Sequence, residues 1–271
     1  MSAYLGAAGL LRLREQLTPR DVAILNSVRE HRFLTGRQIE QLHFDGHASG
    51  PTGGRVCRRV LARLTRDRLL RRLDRKVGRS PGSDPYTYTL GPVGDRATSS
   101  PGQPRRLFKE PSQLFLTHTL ALADTRLALE QAHRAHQIRI VSIEVEPRSW
   151  REFLGAGGAR ERVRPDLHLI TTDNTNGGSG FEDLWFLEVD RSTESVPVIV
   201  RKCRLYERFR RTGAEQHRNG GTFPLVVFAC PDSARATRID RAIRATNDIP
   251  NELFRACTNA GLVELIAAGA A

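Results

Sequence analysis

The sequence predicts a two-domain chain of mixed class, α+β in its first part and α/β in its second. Three observations predict it. Helical periodicity fills the first third and is closed by two short β-like runs, whereas from residue 112 the patterns follow the order αβββαβ. A stretch rich in Gly, Pro and Ser, residues 93–111, separates the two. Charge divides at the same place: residues 1–110 hold 21 Lys and Arg against 10 Asp and Glu, and the remainder holds 21 against 20. Nearly all of the formal +12 therefore belongs to the first part. That favours a polyanionic partner for this part and a different task for the rest. A genome that merely prefers Arg codons would not leave the second part balanced. The expected divisions are 1–92, a linker at 93–111, and 112–271.

The elements of the first domain follow in order. Thr18-Pro19-Arg20-Asp21 is a helix start, with Thr18 as N-cap and Pro19 at the first helical position. Val22, Ile24, Leu25 and Val28 then fall on one face, and the helix ends near His31. Thr35 caps a second, shorter helix carrying Ile39 and Leu42. After a Gly/Ser/Pro-rich loop comes a third helix, about Arg55 to Leu70, with Val56, Val60, Leu61, Leu64 and Leu69 inward. A basic strand, Leu70 to Lys76, a turn at Gly78 to Pro85 and an alternating strand, Tyr86 to Leu90, complete it.

Three helices and a two-stranded hairpin in this order make a winged helix-turn-helix, and the pattern resembles the winged-helix domains of bacterial DNA-binding proteins. In that arrangement the third helix enters the major groove of double-stranded DNA and the hairpin touches the flanking backbone. Arg55, Arg58, Arg59 and Arg63, on the first half of the third helix, and Arg75 and Lys76, on the hairpin, are the expected DNA contacts. The plainer reading leaves these arginines on a solvated face and gives the domain to protein contacts. An arginine-rich third helix favours phosphate.

Composition excludes several classes. Cys57, Cys203, Cys230 and Cys257 form no CxxC pair, so neither a zinc knuckle nor a disulfide framework is expected, and a reducing cytosol suits them. No apolar run reaches the length of a membrane span, and no signal-peptide order opens the chain. A cytoplasmic protein without a membrane partner is the expectation. No GxxxxGK[ST] loop is present, which argues against a P-loop ATPase.

The second domain opens at Ser112, a cap for a helix running to about His136. Its histidines, His118, His133 and His136, are more readily surface or packing residues than ligands. Strands are expected at Ile138–Glu146, Val163–Ile170 and Leu184–Val189. A helix at Val198–Arg211 follows, then a wholly apolar strand at Phe223–Ala229 and a helix at Ala234–Asn247. Glu252 to Ala268 cannot be placed.

The chemistry lies between Val163 and Arg211. Asp166 follows Pro165 on the second strand, and Glu188 and Asp190 stand two apart on the third, which puts them on one face. Carboxylates converging from neighbouring strands hold Mg²⁺ beside a phosphate. Arg164-Pro165-Asp166 followed by Glu188-Val189-Asp190 looks like the restriction-endonuclease-like PD-(D/E)XK core. That resemblance implies Mg²⁺ on Asp166 and Glu188 and a lysine two residues after the second acid. Here Asp190 stands in the lysine's place. Either Asp190 is a third metal ligand, or Lys202 reaches in from the following helix; Glu144 offers a further acid. The competing reading is a degenerate core kept for binding or dimerisation.

Leu187-Glu188-Val189-Asp190-Arg191-Ser192-Thr193-Glu194-Ser195, downstream of a winged helix, resembles the replication-relaxation family of actinobacterial and firmicute plasmids and mobile elements. The resemblance covers roughly Leu17 to Asp232. It implies a part in plasmid replication and DNA relaxation without deciding whether the protein itself cuts. Thr193 or Ser195 suits capping of the next helix, whose basic face (Arg201, Lys202, Arg204, Arg208, Arg210, Arg211) could track a DNA backbone. A tyrosine-type relaxase wants two histidines around an apolar residue; none occurs, so Tyr206 is a poor nucleophile. Two readings stand: a Mg²⁺-dependent nicking endonuclease, with Asp166, Glu188, Asp190 and Lys202 in its site, or a non-catalytic initiator or repressor. In the second, the nuclease-like domain serves homodimerisation or recruits host replication proteins.

Overall fold

A computed structural model describes residues 6–44, 50–73, 86–99, 108–172 and 182–270. The chain is mixed α and β, and its contacts divide it into two units, one ending at Leu127 and the other beginning at Ala128.

The first unit opens with α1 (Ala7–Gln16) and α2 (Pro19–His31). A capping box starts α2: the Thr18 hydroxyl accepts from the Asp21 N–H, and the Asp21 carboxylate accepts from the Thr18 N–H. Thr35 and Gln38 repeat the device at α3 (Gly36–His43). Helix α4 spans Gly50–Arg66, about a turn earlier than its apolar pattern suggests. Leu69 and Leu70 leave the helix because Arg68 adopts φ +60° and turns the chain into β2 (Leu70–Arg72). β2 and β1 (Leu34–Thr35) both pair antiparallel with β3 (Thr87–Leu90), in the order β1-β3-β2. Ile24, Leu25, Val28, Leu34, Ile39, Leu61 and Leu64 form the core. Val22, expected on the buried face, is exposed. The expected turn at Gly78 to Pro85, and Arg75 and Lys76 beside it, lie outside the described residues.

The stretch read as a linker begins instead with a helix, α5 (Pro92–Thr98), whose Val93 enters the core. α6 (Gln113–Arg134) starts where Ser112 caps it, its hydroxyl accepting from the Phe115 N–H at 3.2 Å. Its first turns belong to the first unit, because Leu116 and Leu120 pack on Phe33 and Leu73.

The second unit is built on a five-stranded sheet. Its strands are β4 (Arg139–Val145), β7 (Leu167–Thr172), β8 (Glu182–Val189), β9 (Leu225–Cys230) and β10 (Phe254–Thr258), in the order β10-β9-β8-β7-β4. β4, β7 and β8 pair antiparallel, whereas β8, β9 and β10 are parallel. All six residues of β9 are buried, as suits a strand between two others. A separate hairpin, β5 (Arg151–Leu154) and β6 (Arg160–Val163), precedes β7. The single strand expected over Val163–Ile170 is thus two strands. Pro165, which has no N–H to give a ladder, stands in the break. α7 (Val196–Arg211), α8 (Ala214–Arg218) and α9 (Ser233–Arg244) follow, and the unplaced tail holds β10 and α10 (Leu262–Ala267). Phe186, Ile199, Cys203, Tyr206, Phe209, Phe228 and Ile239 form the core between sheet and helices. Among the described residues no helix is long and apolar enough to cross a membrane.

Candidate functional site

The ends of β7 and β8 bring two acids together. Asp166 lies just before β7, and its backbone N–H donates to Leu187 O at 3.0 Å. Its carboxylate then folds over the neighbouring strand, with Oδ2 accepting from the Val189 N–H at 2.6 Å. Ser149 fixes the preceding residue by donating to Pro165 O at 2.5 Å. Glu188, only 3% exposed, points to α7. Its Oε2 accepts from Lys202 Nζ at 2.9 Å and its Oε1 from the Tyr206 hydroxyl at 2.6 Å.

Burial disfavours charge on Glu188 and pushes its carboxyl up to about 7; the nearby Asp166 charge adds to this, while Lys202 and Tyr206 oppose it. Burial alone would lower the Lys202 ammonium, but Glu188, Glu194 and Asp166 raise it above the ordinary lysine range. Lys202 Nζ also lies 3.3 Å from Glu194 Oε2. Tyr206 is fully buried and its hydroxyl is pushed well above the usual tyrosine range by burial and by Glu188. It holds the Glu188 carboxyl in place through that hydrogen bond.

Asp190 does not join this group. Both its oxygens face Arg235 of α9, at 2.7 Å from Nε and 3.0 Å from Nη2, and both side chains are buried. The same Nη2 donates to Glu194 O at 2.7 Å. A carboxylate held by a guanidinium fork is charge-satisfied, so this geometry gives Asp190 a partner other than a metal. Lys202 takes the position beside Glu188 that spacing left open. Glu144 is diverted too: it pairs with Arg151 at 3.1 Å and lies 3.5 Å from His168. Glu146, two residues on, is the acid that spacing missed; its carboxylate and that of Asp166 have oxygens within 4.8 Å of one another. The same alternation that recommended Glu144 also recommends Glu146.

Oxygen donors of this kind suit Mg²⁺, a hard cation. Each carboxylate oxygen on Glu188 has one partner and a second lone pair, so the donor set fits in kind. Lys202 already supplies one positive charge to it.

An open cleft of about 750 Å³ is lined by Lys202, Tyr206, Glu194, Arg160, Arg162 and Arg164, among others. The basic face of α7 is mostly neutralised, against expectation. Arg204 pairs with Asp248, Arg208 with Glu161, and Arg210 and Arg211 with Glu207. Ser195 is the N-cap of α7, but its hydroxyl makes no capping bond.

In the first unit Arg55, Arg58 and Arg59 are exposed on α4. Arg63 is not available in the same way: it reaches back to Asp21 at 2.5 Å, tying α4 to the start of α2. A second cleft, about 730 Å³, is lined by Arg58, Arg68, Arg71, Arg72, Tyr86 and Tyr88. The Arg72 guanidinium sits 4.1 Å from the centre of the Tyr86 ring, which is 43% exposed. Arg68, Arg71 and Arg72 were not among the expected contacts. The signal was present in the run of arginines, but only the pairing of β2 with β3 puts them beside α4.

The sequence model of the replication-relaxation family matches residues 25–226, most of the chain. No curated protein matches it, and neither does any solved structure.

Proposed function

The chain belongs to the replication-relaxation family, and from that premise we propose that it binds double-stranded DNA during replication of a plasmid or mobile element and nicks one strand with Mg²⁺. The observation that carries the reading is the junction of β7, β8 and α7, where buried Asp166 and Glu188 lie near half-buried Lys202, which pairs with Glu188. The strand order around it supports a PD-(D/E)XK-like domain, with the lysine supplied from the helix rather than from the strand. Asp166 and Glu188 would hold the ion, with Glu146 beside Asp166. Mg²⁺ bound there would polarise a phosphate oxygen and lower the pKa of a water. Lys202 places a positive charge where negative charge gathers on an attacked phosphate, and Tyr206 keeps Glu188 oriented.

Helices α2, α3 and α4 with the sheet β1-β3-β2 support a winged helix-turn-helix in the first unit. Exposed Arg55, Arg58 and Arg59 on α4, and the arginines of β2, suit phosphate contact. Supercoiled plasmid tests the cutting. Wild type with Mg²⁺ should yield open circles, and EDTA or Asp166→Ala should abolish them. If no divalent ion produces open circles while DNA binding persists, the nuclease reading fails.

A specific observation favours the second reading, a non-catalytic initiator or repressor. Asp190 occupies the lysine's usual place and is locked to Arg235, while Glu188 is already neutralised by Lys202. Under that reading the second unit mediates homodimerisation or recruits host replication proteins, and Lys202→Met leaves DNA binding and plasmid maintenance unchanged.

A further inference from the structure

The hairpin β5–β6 has no role in the reading above, yet its sequence is built like a tool. Arg160-Glu161-Arg162-Val163-Arg164 alternates, so three arginines share one side of the strand and its continuation. The other side docks. Val163 is 1% exposed and enters the core with Tyr206 and Phe209, and Glu161 accepts from Arg208 of α7 at 2.6 Å. All three arginines line the cleft that Lys202, Tyr206 and Glu194 also line.

That lining holds four cations, Arg160, Arg162, Arg164 and Lys202, against three acids, Glu152, Glu161 and Glu194. Arg162 is held by Glu152, Glu161 by Arg208, and Glu194 by Lys202. Arg160 and Arg164 have no carboxylate partner among the described residues. Arg164 is instead steadied by the Trp150 ring, 5.1 Å from its guanidinium, with Arg162 5.4 Å from the same ring. A guanidinium kept against an aromatic face loses less freedom when it forms a bidentate bond, and its fork matches a phosphate.

We propose that Arg160 and Arg164 on the β5–β6 hairpin grip the phosphodiester backbone of a DNA strand in the cleft beside Lys202. The inference rests on the proposed DNA role but not on cutting, since the grip serves a catalytic and a non-catalytic protein alike. It adds a second contact area to the arginines of α4.

The experiment uses the full-length chain, duplex DNA and EDTA, so that cutting cannot intervene. Affinity is measured across a salt series for wild type, Arg160→Gln/Arg164→Gln and Arg160→Lys/Arg164→Lys. Each lost phosphate contact lowers the slope of log affinity against log salt by about 0.9. The glutamine pair should flatten the slope by about 1.8 and weaken binding roughly tenfold at moderate salt. The lysine pair should keep the slope and lose only about threefold, because charge remains while the fork is lost. Unfolding by urea checks that each variant is folded. An unchanged slope in a folded glutamine variant overturns the grip, whatever the plasmid assay shows. A flattened slope with no open circles in that assay keeps the grip and removes only the nuclease.

Discussion

Lys202 lies beside Glu188 and Asp190 belongs to Arg235, one of the two alternatives that spacing left open. A period of two correctly puts Glu188 and Asp190 on one face of β8, but which helix each meets depends on residues far along the chain. Arg235, 45 positions away, claims Asp190; Lys202, one helix on, claims Glu188. The first pair is buried on both sides, so removing one partner strands a charge in a low-dielectric setting. Arg235→Ala should cost about 3 kcal/mol in urea unfolding, and adding Asp190→Ala should recover part of that loss. Were Asp190 mainly a metal ligand, Arg235→Ala would leave metal-free stability almost unchanged. His31 gives a second residue-scale test. Burial, with Arg126 nearby, pushes its ring down to about 3, and Nδ1 has no hydrogen-bond partner among the described residues. The folded value lies below the ordinary 6.5, so the unfolded chain takes the proton first. The contribution of neutral His31 is complete above about pH 6.5 and falls by about 1.4 kcal/mol per pH unit below it. In His31→Leu, melting between pH 6.5 and 4.5 should be flatter than in wild type; an equal decline in both would show that His31 does not set it.

At the scale of elements, helices with chemical start signals were the legible ones. Thr18-Pro19-x-Asp21 and Thr35-x-x-Gln38 state their caps outright, and α2 and α3 begin where these residues place them. Helix α5 was not legible. Gly91, Pro92 and Gly94 within four positions give it a linker's composition, yet both glycines are there for contact rather than for flexibility. A Cβ on Gly94 would sit 2.0 Å from Leu69 O, so α5 lies directly on the backbone entering β2. Gly94→Ala should therefore force the two segments apart and cost about 1–3 kcal/mol. A flexible linker would gain slightly from the same change, so the sign of the shift in urea midpoint decides between them. The β5–β6 hairpin escaped for a related reason. Its strands have four residues each, and its outer face is arginine, so no apolar alternation announces it. Of the site, Asp166 and Glu188 could be read from Pro-Asp and from two-residue spacing. Tyr206 and Arg235 could not, because their parts depend on tertiary neighbours; Glu146 shares the alternation of Glu144 and could have been read from it.

For the whole molecule, the proposed function and the charge asymmetry together imply that DNA binding and nicking should be separable by mutation. The net positive charge is concentrated in the first 110 residues, whereas the acids of the candidate site lie just before β7 and on β8. Arg59→Ala removes an exposed cation from α4. Its expected effect is weaker DNA binding and a salt slope flatter by about 0.9, one phosphate's share. Nicking by this variant should recover when protein is added in excess, since its carboxylates are untouched. Asp166→Ala removes a negative charge that repels phosphate, so its DNA affinity should equal or exceed that of wild type while open-circle formation is lost. A buried acid latched to the Val189 N–H also has a structural share, and Asp166→Asn keeps the shape of that contact without the charge. If Asp166→Asn binds DNA and melts like wild type yet makes no open circles with Mg²⁺, the carboxylate's charge is the missing part. If instead it nicks at the wild-type rate, no ion depends on Asp166, and the acids at this strand junction serve the fold alone.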